Sequence, residues 1–149
     1  MSLLAGGPSL RKKMLVIEDE KIDALSIGQV LKQQFPNTEL EVVTNGEQAL
    51  DWIHRFRPSS EEKLFLILMD LTIPRMSGLD LISEFKAHSH LQYAPIVILS
   101  GSDNPQAINA AYKSGACGYV VKPDTMDEMR GVLKNTLNYW LEANRIPQP

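Results

Sequence analysis

The sequence predicts an α/β fold: a doubly wound, five-stranded parallel sheet with five helices. Three observations carry this. Short apolar runs alternate with longer amphipathic stretches from Met14 onward. Four of the five runs are continuously apolar, as parallel strands buried on both faces must be. Helix-start signals recur between the runs, and β-α repeated five times is the pattern of a parallel sheet covered on both sides. Right-handed crossovers leave few topologies for such a chain. Five strands favour the flavodoxin-like order 2-1-3-4-5 over the six-stranded alternative.

The expected strands are Met14–Ile17, Leu40–Val43, Leu64–Met69, Ile96–Leu99 and Tyr119–Val121. The second is short and carries Glu41, so it belongs at an edge. Thr44 to Glu47 and Asp124 to Asp127 have capping-box spacing, and Asn104-Pro105 sets a cap residue before a proline at the first helical position. The last helix shows the clearest face: Met126, Met129, Leu133, Leu137 and Trp140 form one stripe at 100° per residue. His54 to Lys63, with Pro58-Ser59-Ser60-Glu61-Glu62, is a polar connection.

Composition narrows the function classes. The 149 residues are 44% hydrophobic and 22% charged, a globular balance for one domain of ordinary size. Fifteen Lys+Arg against 18 Asp+Glu give a net charge of −3, which lacks the basic footprint of nucleic-acid binding. Cys117 is the single cysteine, so neither an intrachain disulfide nor a Cys-rich zinc site forms. No apolar stretch approaches a membrane span, and Gly6-Gly7-Pro8 interrupts the only signal-like start. A cytoplasmic protein is expected, with residues 1–12 as an N-terminal tail and 142–149 as a C-terminal tail. His54, His88 and His90 lack the i, i+4 ligand spacing, so no metal is expected on them.

In an open α/β sheet, ligands bind outside the carboxyl ends of the strands. Those ends here are Glu18-Asp19-Glu20, Asp70, Ser100-Gly101 and Lys122-Pro123. Each has a purely structural reading: acids complement a helix dipole, Ser100 caps a turn, and Lys122 is a solvated strand end. For all of them to be structural at once is improbable, because nothing local in the sequence joins them. Glu18, Asp19 and Asp70 crowded on one rim would raise one another's pKa values, and a hard divalent cation relieves this. Oxygen ligands of this kind suit Mg²⁺ at a phosphoryl-transfer site. Lys122 would hold one phosphoryl oxygen and the Ser100 hydroxyl another. The carboxylate of Asp70 can itself be the nucleophile, giving an acyl phosphate.

Val16 to Glu20, Leu68 to Leu79, Pro95 to Ser100 and Val121-Lys122-Pro123 together resemble the receiver domain of two-component response regulators, over residues 13–141. The resemblance implies that Asp70 accepts a phosphoryl group from the phosphohistidine of a sensor histidine kinase. It implies that Asp19, Asp70 and the backbone carbonyl of Thr72 bind Mg²⁺, with Glu18 near the ion or joined through water. Ser100 is then the switch hydroxyl, Lys122 the phosphate-contacting lysine and Tyr119 the aromatic rotamer switch. A cis Lys122-Pro123 bond is also implied. Glu18 and Ser100 stand where Asp and Thr are commoner in the family.

The polar insertion after the second helix and the end Leu137 to Glu142 resemble stand-alone response regulators that partner phytochrome-type histidine kinases. A homodimer through the last helix is therefore expected, with Val132, Thr136 and Tyr139 as its outward row. Output would pass through a downstream protein target, with no DNA-binding or catalytic domain attached. Beyond its own phosphorylation and dephosphorylation, no enzyme activity is expected. Two alternatives remain open: a receiver-like interaction module that works without phosphorylation, and a Mg²⁺-dependent phosphoaspartate phosphatase. The phosphatase places a second acid two positions after its nucleophile, where this chain has Thr72.

Overall fold

The apolar runs do become strands, and the register between them decides where the polar strand ends meet. Among residues 11–147, which a computed structural model describes, five strands alternate with five α-helices. The strands are β1 (Arg11–Ile17), β2 (Thr38–Val43), β3 (Glu62–Met69), β4 (Ile96–Ser100) and β5 (Gly118–Val121). The helices are α1 (Lys21–Gln34), α2 (Gly46–Arg55), α3 (Gly78–Ala87), α4 (Pro105–Ser114) and α5 (Met126–Leu137). All pairings are parallel in the order β2-β1-β3-β4-β5, with Glu41 on the edge strand as expected. Residues 1–10 of the anticipated tail lie outside the described residues. Arg11 and Lys12 belong to β1 rather than to that tail, because they pair with Glu62 and Lys63.

Each face of the sheet carries its own core. Leu15, Ile17, Leu64, Ile67, Met69, Ile96 and Ile98 pack with α2 and α3 through Trp52, Ile53, Leu81, Ile82 and Phe85, and with Ala111 of α4. Met14, Val16, Phe65, Leu66, Leu68, Val97 and Leu99 pack with α1 and α5 through Ile27, Val30, Leu31, Met129 and Leu133. Alternation breaks once: Phe65 and Leu66 are neighbours in sequence yet lie on the same face. A bulge explains it, since Lys13 pairs with Leu64 while Met14 pairs with Leu66. At that end Lys13 is buried, and its ammonium lies 3.1 Å from Glu39 and 3.3 Å from Glu41.

Three local expectations need correction. The α2 cap is Asn45, not Thr44, because Asn45 Oδ1 accepts the Gln48 amide at 2.9 Å. The α5 box is likewise one residue later: Thr125 Oγ1 accepts the Glu128 amide and donates to the Glu128 carboxylate. Asn104 and Pro105 stand as expected at the start of α4.

The third correction concerns the C-terminal stripe. Met129, Leu133 and Leu137 are buried, but Met126 at the first helical position is exposed and the stripe ends on Leu141 instead of Trp140. After Leu137 the chain makes a π-helical turn, Asn138–Ala143, which holds more residues per turn and so moves the core-facing position on by one. Trp140 is half-buried against the α1/α5 core, Thr136 turns inward, and Tyr139 is left exposed.

Candidate functional site

Register brings the strand ends together. Ile17 pairs with both Val43 and Met69, and Met69 pairs with Ile98. Glu18 and Asp70 are therefore the first residues past their strands on adjacent positions of one edge. The ladder runs one step further through the Asp70 amide, which donates to the Ile17 carbonyl at 3.1 Å. On the other side Ser100 pairs with Val121, and the Lys122 amide donates to the Ser100 carbonyl at 2.7 Å.

The centre of the site is the Lys122 ammonium. It donates to Glu18 Oε1 at 2.8 Å, Asp70 Oδ2 at 3.0 Å and Asp23 Oδ2 at 2.7 Å. An ammonium has three donors, so this set uses all of them. Burial works to lower the Lys122 pKa, but the hydrogen bonds it donates to Asp23, Glu18 and Asp70 outweigh it and hold the group well above the ordinary lysine value. Glu18 is only 2% exposed, and burial raises its carboxyl above the usual glutamate value even though Lys122 pulls the other way. Its second oxygen accepts the Glu20 amide at 3.2 Å. Asp70 is held similarly, with Oδ1 accepting the Thr72 amide at 3.0 Å.

The loop after Asp70 has little freedom. Arg75 sits at φ 71°, in the left-handed region, and the Pro74 carbonyl accepts the Gly46 amide. A Cβ on Gly78 would lie 2.6 Å from the Leu71 carbonyl oxygen, so only glycine lets α3 start this close to the phosphoacceptor candidate.

The remaining predicted residues flank this centre. Asp19 is exposed at the mouth. Ser100 is buried, and its hydroxyl accepts the Ser102 amide at 3.3 Å. The Tyr119 hydroxyl donates to the Ser102 carbonyl at 2.7 Å, tying β5 to the loop that follows Ser100. The Lys122-Pro123 bond is trans, contrary to expectation: no cis peptide occurs among the described residues, and trans is the intrinsically favoured isomer even before proline.

Asp23 was not expected at the site. It occupies the third position of α1, where a carboxylate is easily taken as a partner for the helix dipole. The usable signal was direction, because helical side chains lean toward the N-terminus, and here that end lies over the strand tips. The three histidines lie near one another without forming a metal site. Despite their spacing, His54, His88 and His90 form a row with ring centroids 5.6 and 5.7 Å apart, contributed by α2, the end of α3 and the loop after it. That row lies at the opposite end of the helices from Asp70.

Among the described residues no three His, Cys, Asp or Glu side chains are arranged as a ready metal site. The donor chemistry nevertheless fits a hard cation. Glu18, Asp23 and Asp70 set three carboxylates against the ammonium of Lys122, an excess of negative charge made of oxygen donors, and exposed Asp19 follows Glu18 in sequence.

Comparison with known proteins places this geometry. Residues 14–134 match the model of the response regulator receiver domain. The chain is 25% identical over 136 residues to a probable methanogenesis regulatory protein, FilR2, of Methanothrix harundinacea, covering 91% of this chain and 88% of that one. It is 26% identical over 137 residues to the response regulator Rcp1 of Synechocystis sp., covering 91% and 93%. The Mn²⁺-bound structure of Rcp1 superposes with a TM-score of 0.81 over 92% of this chain and 99% of that one. The phosphorylated cyanobacterial phytochrome response regulator RcpA superposes with a TM-score of 0.84 at 26% identity, over 93% and 99%. With a family model spanning most of its length and the family's sheet order in its fold, this chain belongs to the response regulator receiver domains.

Proposed function

We propose that this protein is a response regulator that accepts a phosphoryl group on Asp70 from a histidine kinase and signals by changing a protein-contact surface. The observation that carries this is the Lys122 ammonium 3.0 Å from Asp70 and 2.8 Å from buried Glu18. A carboxylate nucleophile is thereby held beside a cation that outlasts the reaction. A carboxylate oxygen of Asp70 attacks the phosphorus of a phosphohistidine. The new O–P bond forms as the P–N bond breaks, and the departing imidazole nitrogen keeps the electron pair and takes a proton from solvent. Hydrolysis of the acyl phosphate by water then restores the carboxylate and releases inorganic phosphate.

Asp19, Asp70 and the Thr72 carbonyl are the groups that would hold Mg²⁺, with Glu18 nearby; the bound ion would neutralise charge developing on the phosphoryl oxygens. Lys122 orients the same oxygens. Ser100, turning from the Ser102 amide toward the phosphoryl group, would draw the β4–α4 loop with it. Tyr119 follows, because its hydroxyl is bonded to that loop. The affected surface is that of α4, β5 and α5.

Similarity to the phytochrome response regulator RcpA supports a phytochrome-type kinase as the donor. The free Cys117 thiol suits a reducing cytoplasm. No helix among the described residues is long and apolar enough to cross a membrane.

Incubation with Mg²⁺ and acetyl phosphate, followed by intact mass, tests the reading. The expected result is a gain of about 80 Da, one phosphoryl group, on the natural chain and none on Asp70→Asn. Equal labelling of that variant removes the assignment of Asp70.

Homodimerisation is part of the proposal. Tyr139 is 52% exposed beside half-buried Trp140, an aromatic edge on the last helical turn that suits an interface anchor. Light scattering over a concentration series, with and without phosphodonor, is expected to reach twice the chain mass in at least the phosphorylated form. Chain mass throughout refutes it.

A further inference from the structure

We propose that Asp23 is a positioning residue that latches Lys122 in the unphosphorylated state and is the partner Lys122 gives up when a phosphoryl group arrives. This rests on the phosphoacceptor role of Asp70 given above. The Lys122–Asp23 contact, at 2.7 Å, is the shortest of the three that the ammonium makes. With all three donors committed, a phosphoryl oxygen gains the ammonium only if one carboxylate releases it.

The three carboxylates differ in what release costs them. Glu18 is 2% exposed, so losing its cation would strand a charge away from water. Asp70 carries the phosphoryl group and keeps it next to Lys122. Asp23 has a side chain 20% exposed and sits in the first turn of α1, where the helix N-terminus offers it a second favourable field. Water and the helix end can replace the ammonium for Asp23 alone. The position of the equilibrium between the latched and phosphate-bound lysine is therefore set by Asp23, and the acid at this position tunes how strongly the domain holds a phosphoryl group.

Beryllofluoride (BeF3−), an anionic mimic of the phosphoryl group that coordinates an aspartate carboxylate oxygen, titrated in the presence of Mg²⁺ and followed by calorimetry, measures that equilibrium on the whole chain. Asp23→Asn is expected to lower the half-saturating concentration roughly tenfold, the order set by one charge-assisted hydrogen bond. Asp23→Glu, which keeps the charge, is expected to stay near the natural value. Glu20→Gln removes an exposed acid at the N-cap of the same helix that makes no ion pair with Lys122, and is expected to leave the titration unchanged. Unchanged or weaker binding by Asp23→Asn overturns the latch, as does an equal gain from Glu20→Gln, which would make the effect one of general charge. Binding by the natural chain with no response to Asp23→Asn removes the latch alone. No binding by the natural chain removes the phosphoacceptor reading with it.

Discussion

Lys122→Ala is expected to lose about 3 kcal/mol of folding stability, and to lose it in a pH-dependent way. Truncation leaves Glu18 buried with only the Glu20 amide as a partner, while Asp23 can turn toward water and Asp70, less buried than Glu18, keeps the Thr72 amide. The cost is therefore set by one stranded carboxylate. In the natural chain burial already raises the Glu18 pKa above its ordinary value, and removing the ammonium raises it further. A folded-state pKa above the unfolded one means that the native state binds the extra proton between the two values. The penalty of the ionised form is therefore present above the folded pKa and is relieved as pH falls through that window. Urea denaturation at pH 8 and pH 5 checks this: the deficit relative to the natural chain is expected to shrink in acid. A deficit that stays constant or grows in acid would point to lost packing of the lysine stem.

Trp52→Ala is expected to cost about 3–5 kcal/mol, the range for truncating a buried tryptophan or phenylalanine. Trp52 is 1% exposed, stacks on Phe56 at 4.6 Å with an interplanar angle of 10°, and meets Phe85 at 6.5 Å. The residues that share its cluster on β1, β3 and α3 are themselves fully buried, which limits how far the core can close over the space left. For a domain of this size the thermal midpoint should fall by on the order of 10 °C. Trp140 remains as the fluorescence reporter. Far from this core, Tyr139→Ala should change stability by no more than about 0.5 kcal/mol, so the pair of variants separates core packing from exposed aromatic surface.

Where the sequence carried a strong physical signal, the structure followed it. Strands buried on both faces demand unbroken apolar runs, and such runs are conspicuous, so the sheet and its order were legible. The same property hid the bulge in β3: a run that is apolar at every position has no phase, and nothing in Leu64-Phe65-Leu66 says which two share a face. Caps were legible to within one residue because Thr44 and Asn45 are both competent, and only geometry chooses. Asp70 and Lys122 were visible because a charge directly after an apolar strand has few structural reasons to be there. Asp23 was invisible for the opposite reason, since an acid in a first helical turn is commonplace. Trp140 was assigned to the core on a strict 3.6-residue period, which a π-helical turn does not obey.

That turn has a consequence for how the end of the chain can diverge. A π-helical turn is what one added residue does to an α-helix: it delays the heading of everything after it while leaving everything before it alone. Leu137 is the last residue in the frame of α5, and Leu141 the first buried one in the new frame. The segment Asn138–Ala143 thus works as a vernier between two scales. Gain or loss of a single residue there would swap which aromatic faces outward and re-aim the tail by roughly a quarter turn, about 100°. The strand tips that hold Asp70 and Lys122 lie upstream of the joint. Outward identity and phosphoryl chemistry are consequently free to drift apart in descent, one letter at a time.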